Sequence, residues 1–424
     1  MATAFKPLMP LDEAWSTLQA AVLQHVQQGA ALARESVDSI EALGRVLAEP
    51  LVSRVDVPPL DNSAMDGYAL RVADLSSSQA LPMGQRVAAG QVGEPLAPGH
   101  CARIFTGAPV PEGADAVVMQ EHTETSDPAG PIRFLHEVRA GQNIRRRGED
   151  IACGQTVLSS GLRLSPAALG VAASVGAQRL SVFARPRVGV LTTGSELVMP
   201  GEPLPPGAIY NSNRHTLRGL VQSTGALAGD LGVVPDDLDA TRAALREAAA
   251  HHDLIITSGG VSVGEEDHLR AAVQAEGGLA FWALAIKPGK PFVFGWLARP
   301  DGSRCLYMGL PGNPVASFVT FLLLVRPVLG VLSGEPWALP TALRLQADFD
   351  WPKADKRREF LRARLNAQGR VEIFPHQGSG VLTSAAWSDG LVDLAPGQTV
   401  ERGQTVAFVP LSQWLQPSFT VCQA

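Results

Sequence analysis

Three short apolar runs between residues 187 and 310 organise the chain, because each ends in a Gly-rich or polar turn and leads into residues with helical spacing. In the middle run, Leu254 to Thr257 is continuous and rich in β-branched residues, the pattern of a strand covered on both faces in a parallel sheet. Gly259 and Gly260 follow and permit a sharp turn and close approach to a ligand. Ser262 with Glu265 three residues on forms a capping box for a helix running through Val273 to Gly277. The same grammar recurs on both sides. Val188 to Thr193 leads to Gly194-Ser195-Glu196, and Cys305 to Met308 leads to a turn at Pro311, Gly312, Asn313 and Pro314, where Asn313 is placed to cap a helix with Pro314 at its first position. Strands alternating with helices predict a doubly wound, mostly parallel α/β core with ligands beyond the carboxyl ends of its strands. Glu196, Ser262, Asp267 and the Asn313 helix start are therefore expected to meet in one crevice.

Elsewhere the pattern changes texture. Asp12 is placed to cap a first helix through Trp15, Leu18, Val22 and Val26, and Asp38 a shorter one with Ile40, Leu43 and Leu47 on its apolar face. From Pro50 to about Arg147, proline, glycine and brief alternating runs predict a small β-rich domain. Ser165-Pro166 and Gly176 bound a further helix, predicted to join the Ile40 segment in a linker domain into which the β-rich part is inserted. After Pro336 to Pro340, short strands predict a C-terminal all-β domain. The expected division is 1–50 with 148–185 (N-terminal helix plus linker), 51–147 (β-rich), 186–334 (α/β) and 335–424 (C-terminal β). Val315 to Val325 is the most apolar stretch; Arg326 and Pro327 are expected to stop it short of a membrane span, and it is read as a buried helix of the α/β core.

At 424 residues several domains are expected. A net charge of −6 argues against a general nucleic-acid or anionic-membrane surface. Cys101, Cys153, Cys305 and Cys422 lie far apart, which disfavours a disulfide framework or zinc ribbon and suits a reducing, cytoplasmic setting. The acidic N-terminus does not read as a signal peptide.

The crevice chemistry is that of an anion site. Lys287 and Lys290, stiffened by Pro288 and Pro291, stand beside glycine amides and helix N-termini. Carboxylates in the same place would repel an anion unless a divalent cation intervened, which implies Mg²⁺ bound through few protein oxygens. Glu265 and Glu266 are read as complementing a helix dipole, and Asp267 as a ligand or catalytic group. No G-x-G-x-x-G, P-loop or H-E-x-x-H motif occurs.

Seven stretches together carry a resemblance. They are Asp61-Asn-Ser-Ala-Met-Asp-Gly-Tyr, Phe105-Thr-Gly-Ala-Pro-Val-Pro, Arg145-Arg-Arg-Gly-Glu-Asp, Thr193-Gly-Ser-Glu-Leu, Ser258-Gly-Gly-Val-Ser-Val-Gly-Glu, Ile286-Lys-Pro-Gly-Lys-Pro and Leu310-Pro-Gly-Asn-Pro-Val. In order and from about Leu11 onward, the chain resembles the molybdopterin molybdenumtransferase family, which includes the E domain of gephyrin. The resemblance implies a four-domain homodimer with a cleft shared between subunits, inserting molybdate into adenylylated molybdopterin with release of AMP and with Mg²⁺ as cofactor. It places functional carboxylates at Asp61, Asp150, Glu196, Asp236 and Asp267, with Glu196, Ser262 and Asp267 toward the metal. Substrate contacts fall on Thr106, Ser258, Gly259, Gly260, Ser262, Lys287, Lys290, Pro311 to Pro314, Arg357 and Ser379. Other proteins of molybdenum-cofactor biosynthesis are implied partners, and nucleic acid and membrane are not. Ser195 stands where some members have an acid, and Ala283 where some have a lysine. A molybdopterin adenylyltransferase and a gephyrin-like binding scaffold remain alternatives, the first disfavoured by the β-rich insertion and the C-terminal β domain.

Overall fold

A computed structural model describes residues 8–28, 32–75, 79–127, 130–234, 237–260 and 268–415. At its centre lie β1 (Arg187–Thr193), α1 (Ser212–Ser223), β2 (Leu227–Val234), α2 (Leu238–His251), β3 (Leu254–Ser258), α3 (His268–Glu276), β4 (Gly277–Ala283), β5 (Ile286–Lys287), β6 (Pro291–Ala298), β7 (Arg304–Leu310) and the long helix α4 (Pro314–Leu332). Six strands form one sheet in the order β2-β1-β3-β7-β6-β4, the first four parallel and the last two antiparallel. The chain goes out from β1 to β2 on one side and then crosses to β3 on the other. That reversal creates the switch point at which α/β sheets open a crevice.

Alternation along the strands covers both faces. Val188, Val190, Leu254, Ile256, Leu306 and Met308 pack with α1, α4 and the N-terminal helix Leu11–Gln28. Leu191, Ile255, Cys305 and Tyr307 pack with α2 and α3. Two-sided burial explains why these runs are continuously apolar.

Several expectations need correction. Asp12 lies in the first turn of Leu11–Gln28 and does not cap it. Asp38 closes a strand, Arg34–Asp38, and caps only a 3-10 turn, Ser39–Glu41, accepting from Ile40 N at 3.2 Å. Ile40 is 80% exposed, so it is no core position; the strand pairs with Arg179–Phe183, which takes these residues before a helix can form. The helix expected to run to Gly277 ends at Glu276, and Gly277 at once opens β4. Nor do Arg326 and Pro327 end the apolar helix. Phe321–Val325 is wound as π-helix, and this wider turn accommodates Pro327 near the start of the next α-segment. From Val315 to Leu332 the helix is buried inside the protein, which accounts for its apolarity.

Segments on both sides of the β-rich stretch share one core, where Leu47, Leu158, Leu164, Ala168, Ala172, Leu180 and Val182 meet. The helix Pro166–Ser174 in it is capped by Ser165, whose Oγ accepts from Ala168 N at 3.1 Å. Arg163 ties this unit to the end of α4: its Nε and Nη2 donate to the two carboxylate oxygens of Glu335 at 3.0 and 2.8 Å, both side chains being nearly buried. The β-rich stretch holds a four-stranded sheet built on Gly67–Leu70, Cys101–Ile104 and Ala116–Met119 with Met83–Val87 at its edge. Past α4, β8 (Arg358–Leu365) anchors a further sheet, which β5 joins in parallel as an edge strand. This C-terminal part is not all β: it includes the short helices Leu382–Trp387 and Leu411–Leu415, five or six residues being too few for a helical period to show in sequence.

Candidate active site

Beyond the carboxyl ends of β1, β3 and β7 lies a cleft of about 730 Å³, walled on the other side by the C-terminal sheet. Its floor is the Ser258-Gly259-Gly260 turn. Gly259 has φ +94°, and a Cβ there would lie 2.6 Å from Thr193 O, so the ends of β1 and β3 approach as closely as only glycine allows. Facing it, the Pro311-Gly312-Asn313-Pro314 turn opens α4. Asn313 occupies the cap position yet makes no side-chain cap bond. Val315 N instead donates to Ser379 O at 2.9 Å, and this fastens the C-terminal unit to the helix start. The Asn313 side chain is left exposed at the cleft.

A third turn joins these two. Asn213, at the start of α1, donates through Nδ2 to Ser258 Oγ at 2.8 Å and to Gly312 O at 2.7 Å. Its Oδ1 has no hydrogen-bond partner among the described residues. Asn211 caps the same helix, accepting from Arg214 N at 3.2 Å, so a second helix N-terminus faces the cleft. Sequence reasoning missed this wall. Its signal was present, since Asn-Ser-Asn after Ile209-Tyr210 is a capping pattern.

Cations enter from the loop around β5 and from the C-terminal unit. Lys290 is exposed and makes no ion pair among the described residues. Lys287 is not free as the anion-site reading supposes. Its Nζ lies 2.9 Å from Glu359 Oε1 and 3.2 Å from Asp355 Oδ2. These contacts, Glu359 first, hold its pKa above the usual lysine value. Glu359 is buried on β8, opposite Lys287 in the β5–β8 pairing, and accepts from Trp351 Nε1 at 3.1 Å. Arg357 donates to Asp355 from its backbone N, Nε and Nη2 at 3.0, 3.1 and 3.2 Å. Arg357, followed by Lys287, keeps Asp355 far below the carboxylate range. Behind the Gln377-Gly378-Ser379 wall, Arg362 is 1% exposed and donates only to neutral oxygens, those of Ser384, Phe360 and Gly378. Burial lowers its pKa to about 10.

The cleft thus gathers Glu196, Ser258, Gly259, Gly260, Lys287, Lys290, Pro311, Gly312, Asn313, Pro314, Arg357 and Ser379. Asp236, Ser262 and Asp267, with the Ser262–Glu265 capping box, lie outside the described residues. Asp61, Thr106 and Asp150 do not line the cleft of their own chain. Asp61 accepts from Arg146 Nη1 at 2.7 Å and Arg147 N at 2.8 Å, and the Arg147 amide above all lowers its pKa. Thr106 donates through N and Oγ1 to Asp66, each at 2.7 Å, and Asp150 is exposed.

Glycine amides, two helix N-termini and cations suit a phosphate-bearing or oxyanion ligand. Among the described residues no three His, Cys, Asp or Glu side chains converge as a metal cage. Glu196 and the unpartnered Asn213 Oδ1 are hard oxygen donors in the same cleft, a set that fits Mg²⁺ retaining water and substrate oxygens as its other ligands.

Comparisons with known proteins follow this layout. Residues 9–176 match the "MoeA N-terminal region (domain I and II)", 189–330 the "Probable molybdopterin binding domain" and 344–411 the "MoeA C-terminal region (domain IV)". The chain is 40% identical over 382 residues to a molybdopterin molybdenumtransferase of Haemophilus influenzae, covering 88% of this chain and 93% of that one. It is 34% identical over 391 residues to one from a Nostoc species, covering 89% and 88%. A crystal structure titled as the molybdopterin biosynthesis moeA protein of Pyrococcus horikoshii OT3 superposes with a TM-score of 0.80 at 30% identity, over 95% of this chain and 100% of that chain.

Proposed function

The chain belongs to the molybdopterin molybdenumtransferase family, and from that premise we propose how its cleft works. The protein is an enzyme of molybdenum-cofactor biosynthesis that inserts molybdenum into molybdopterin. In our reading, adenylylated molybdopterin and molybdate are the substrates and AMP the leaving product. The observation that carries it is the meeting, at one switch-point cleft, of the Gly259-Gly260 turn, the α1 and α4 N-termini and the cations Lys287, Lys290 and Arg357.

The amides of the Gly259-Gly260 turn and the helix starts bind substrate phosphates, and Lys290 with Arg357 draws molybdate in beside them. Ser258 Oγ and the Pro311 to Pro314 turn, cross-braced by Asn213, fix the distance between the two floors of the cleft. Ser379 fixes the C-terminal wall through its carbonyl on Val315. We assign Mg²⁺ to Glu196, Asp267 and Ser262; when bound, it supplies charge neutralisation for the departing phosphate. Asp236 belongs to the carboxylate set by its place in the family motif alone.

Asp61, Thr106 and Asp150 complete the cleft in this reading from the partner subunit of a two-fold dimer. The supporting observation is that none of them lines its own chain's cleft. The protein works as a four-unit chain in the cytoplasm, alongside other proteins of cofactor biosynthesis, and the free thiols of Cys101, Cys153 and Cys305 suit that compartment. The direct test incubates purified protein with adenylylated molybdopterin, molybdate and Mg²⁺ and follows AMP. Release dependent on all three supports the reading, and none with active substrate refutes it. Mixing Asp61→Ala with Lys290→Ala chains tests the shared cleft: verified mixed dimers regain turnover, and inactive ones refute the sharing.

A further inference from the structure

The cations of the cleft are already matched by two carboxylates that differ in how firmly they are held. Glu359 is 3% exposed, lies opposite Lys287 in the β5–β8 pairing and is tethered by Trp351, so it cannot withdraw. Asp355 is 22% exposed and sits in a loop outside the strands. Its backbone is pinned by Gly397 N donating to Asp355 O at 2.8 Å, while its carboxylate faces the cleft-lining groups Lys287 and Arg357. One carboxylate is thus shared between two cations at 3.1 and 3.2 Å, in the arrangement a bound oxyanion would adopt.

We propose that Asp355 is a built-in occupant of the oxyanion subsite, holding Lys287 and Arg357 until a tetrahedral oxyanion displaces it, and that this exchange raises the anion concentration at which the cleft fills. The inference rests on the oxyanion reading of the cleft given above. Any entering anion must take over the same contacts from Asp355, so the exchange weakens binding of each by a common factor. The anion offers each cation an oxygen, and Asp355 turns to water by rotation about its side-chain bonds, giving up the Arg357 amide at 3.0 Å as well as the two cations. Glu359 stays in place throughout and keeps Lys287 aimed into the cleft.

The test uses the full-length protein and two tetrahedral oxyanions of similar size, molybdate as dianion and perrhenate as monoanion, by isothermal titration calorimetry. The parent is expected to prefer molybdate. Asp355→Asn, with Asp355→Ser as a second variant, is expected to tighten both anions by roughly tenfold, within the usual range of coupling between neighbouring sites, because the contacts surrendered by Asp355 are the same for either anion. Glu359→Gln is expected to weaken molybdate, and Lys290→Gln to weaken it in every background. If the folded Asp355 variants bind molybdate no more tightly than the parent, Asp355 is a prop for Arg357 and the proposal is overturned while the oxyanion cleft stands. If no variant binds either anion, or Lys290→Gln changes nothing, the oxyanion reading itself falls and the proposal with it.

Discussion

Gly259→Ala puts the cleft floor to a quantitative test. At φ +94° an L-residue is strained by about 1–2 kcal/mol. The new methyl would also lie 2.6 Å from Thr193 O and 3.2 Å from its Oγ1. The first is a backbone atom at the end of β1, which cannot shift without moving the strand, and overpacking of this kind costs about 1–3 kcal/mol. Together these give roughly 2–5 kcal/mol, or a fall of about 4–20 °C in melting temperature for a unit of this size. Gly312 provides the contrast across the cleft. Its φ is not positive, and an added Cβ would meet only Gly259 Cα at 3.7 Å, so Gly312→Ala should stay within about 0.5 kcal/mol of the parent. Calorimetry measures both, and AMP release measures the cleft: Gly259→Ala should lose turnover at temperatures where it is still folded. Parental melting and turnover in Gly259→Ala, or equal destabilisation by the two substitutions, would refute the close-approach argument.

Three further outcomes follow from other contacts. Asp230 on β2 binds Arg214 Nε and Nη2 at 2.8 and 2.7 Å and Arg218 Nη1 at 3.0 Å on α1, and Arg214 chiefly lowers its pKa. A depressed carboxylate contributes stability that is present above its unfolded value of 3.8 and lost as pH falls through the lower folded value; melting curves between pH 6 and 3 should therefore fall less steeply in Asp230→Asn than in the parent. Arg362→Met strands the oxygens of Phe360, Gly378 and Ser384, which should remove about 2–4 kcal/mol and raise KM for molybdate more than it lowers kcat by loosening the Gly378-Ser379 wall; an unchanged KM would contradict that link. Glu335→Gln leaves Arg163 buried without its counter-charge, worth about 3–5 kcal/mol, and should split calorimetric melting so that the linker unit unfolds ahead of the α/β core; a single parental transition would count against the clamp.

Sequence carried the α/β crevice far better than its electrostatics. The two-faced burial of β1, β3 and β7 wrote itself into uninterrupted apolar runs, and the turns after them hold glycine and proline where the backbone needs them, so Gly259, Gly260 and Pro314 could be read directly. The pairing of Lys287 with Glu359 could not be read, because it depends on β5 joining, in parallel, the sheet of a separate unit that begins only after α4. Asp38 and Ile40 misled for a similar reason: a strand pairing with residues near 180 overrides the local helix signal. Pro327 misled because a π-turn absorbs it, and hydropathy periods near four residues cannot separate that from a helix end.

The buried helix Pro314–Leu332 sets the protein a problem of identity during synthesis. By length and composition it resembles a segment that membrane-insertion machinery would accept, and all of it ends inside the folded chain. Its single charge, Arg326, donates to Trp414 O at 2.9 Å near the end of the described chain. A charge at the centre of a span counts for only about 2.5–3.5 kcal/mol against insertion, too little to carry discrimination alone against so many apolar neighbours. Six strands of the α/β sheet precede it in the chain and offer a surface to bury it against as soon as it is made. Arg326 reaches Trp414 O only once Leu411–Leu415, the last helix among the described residues, has been made.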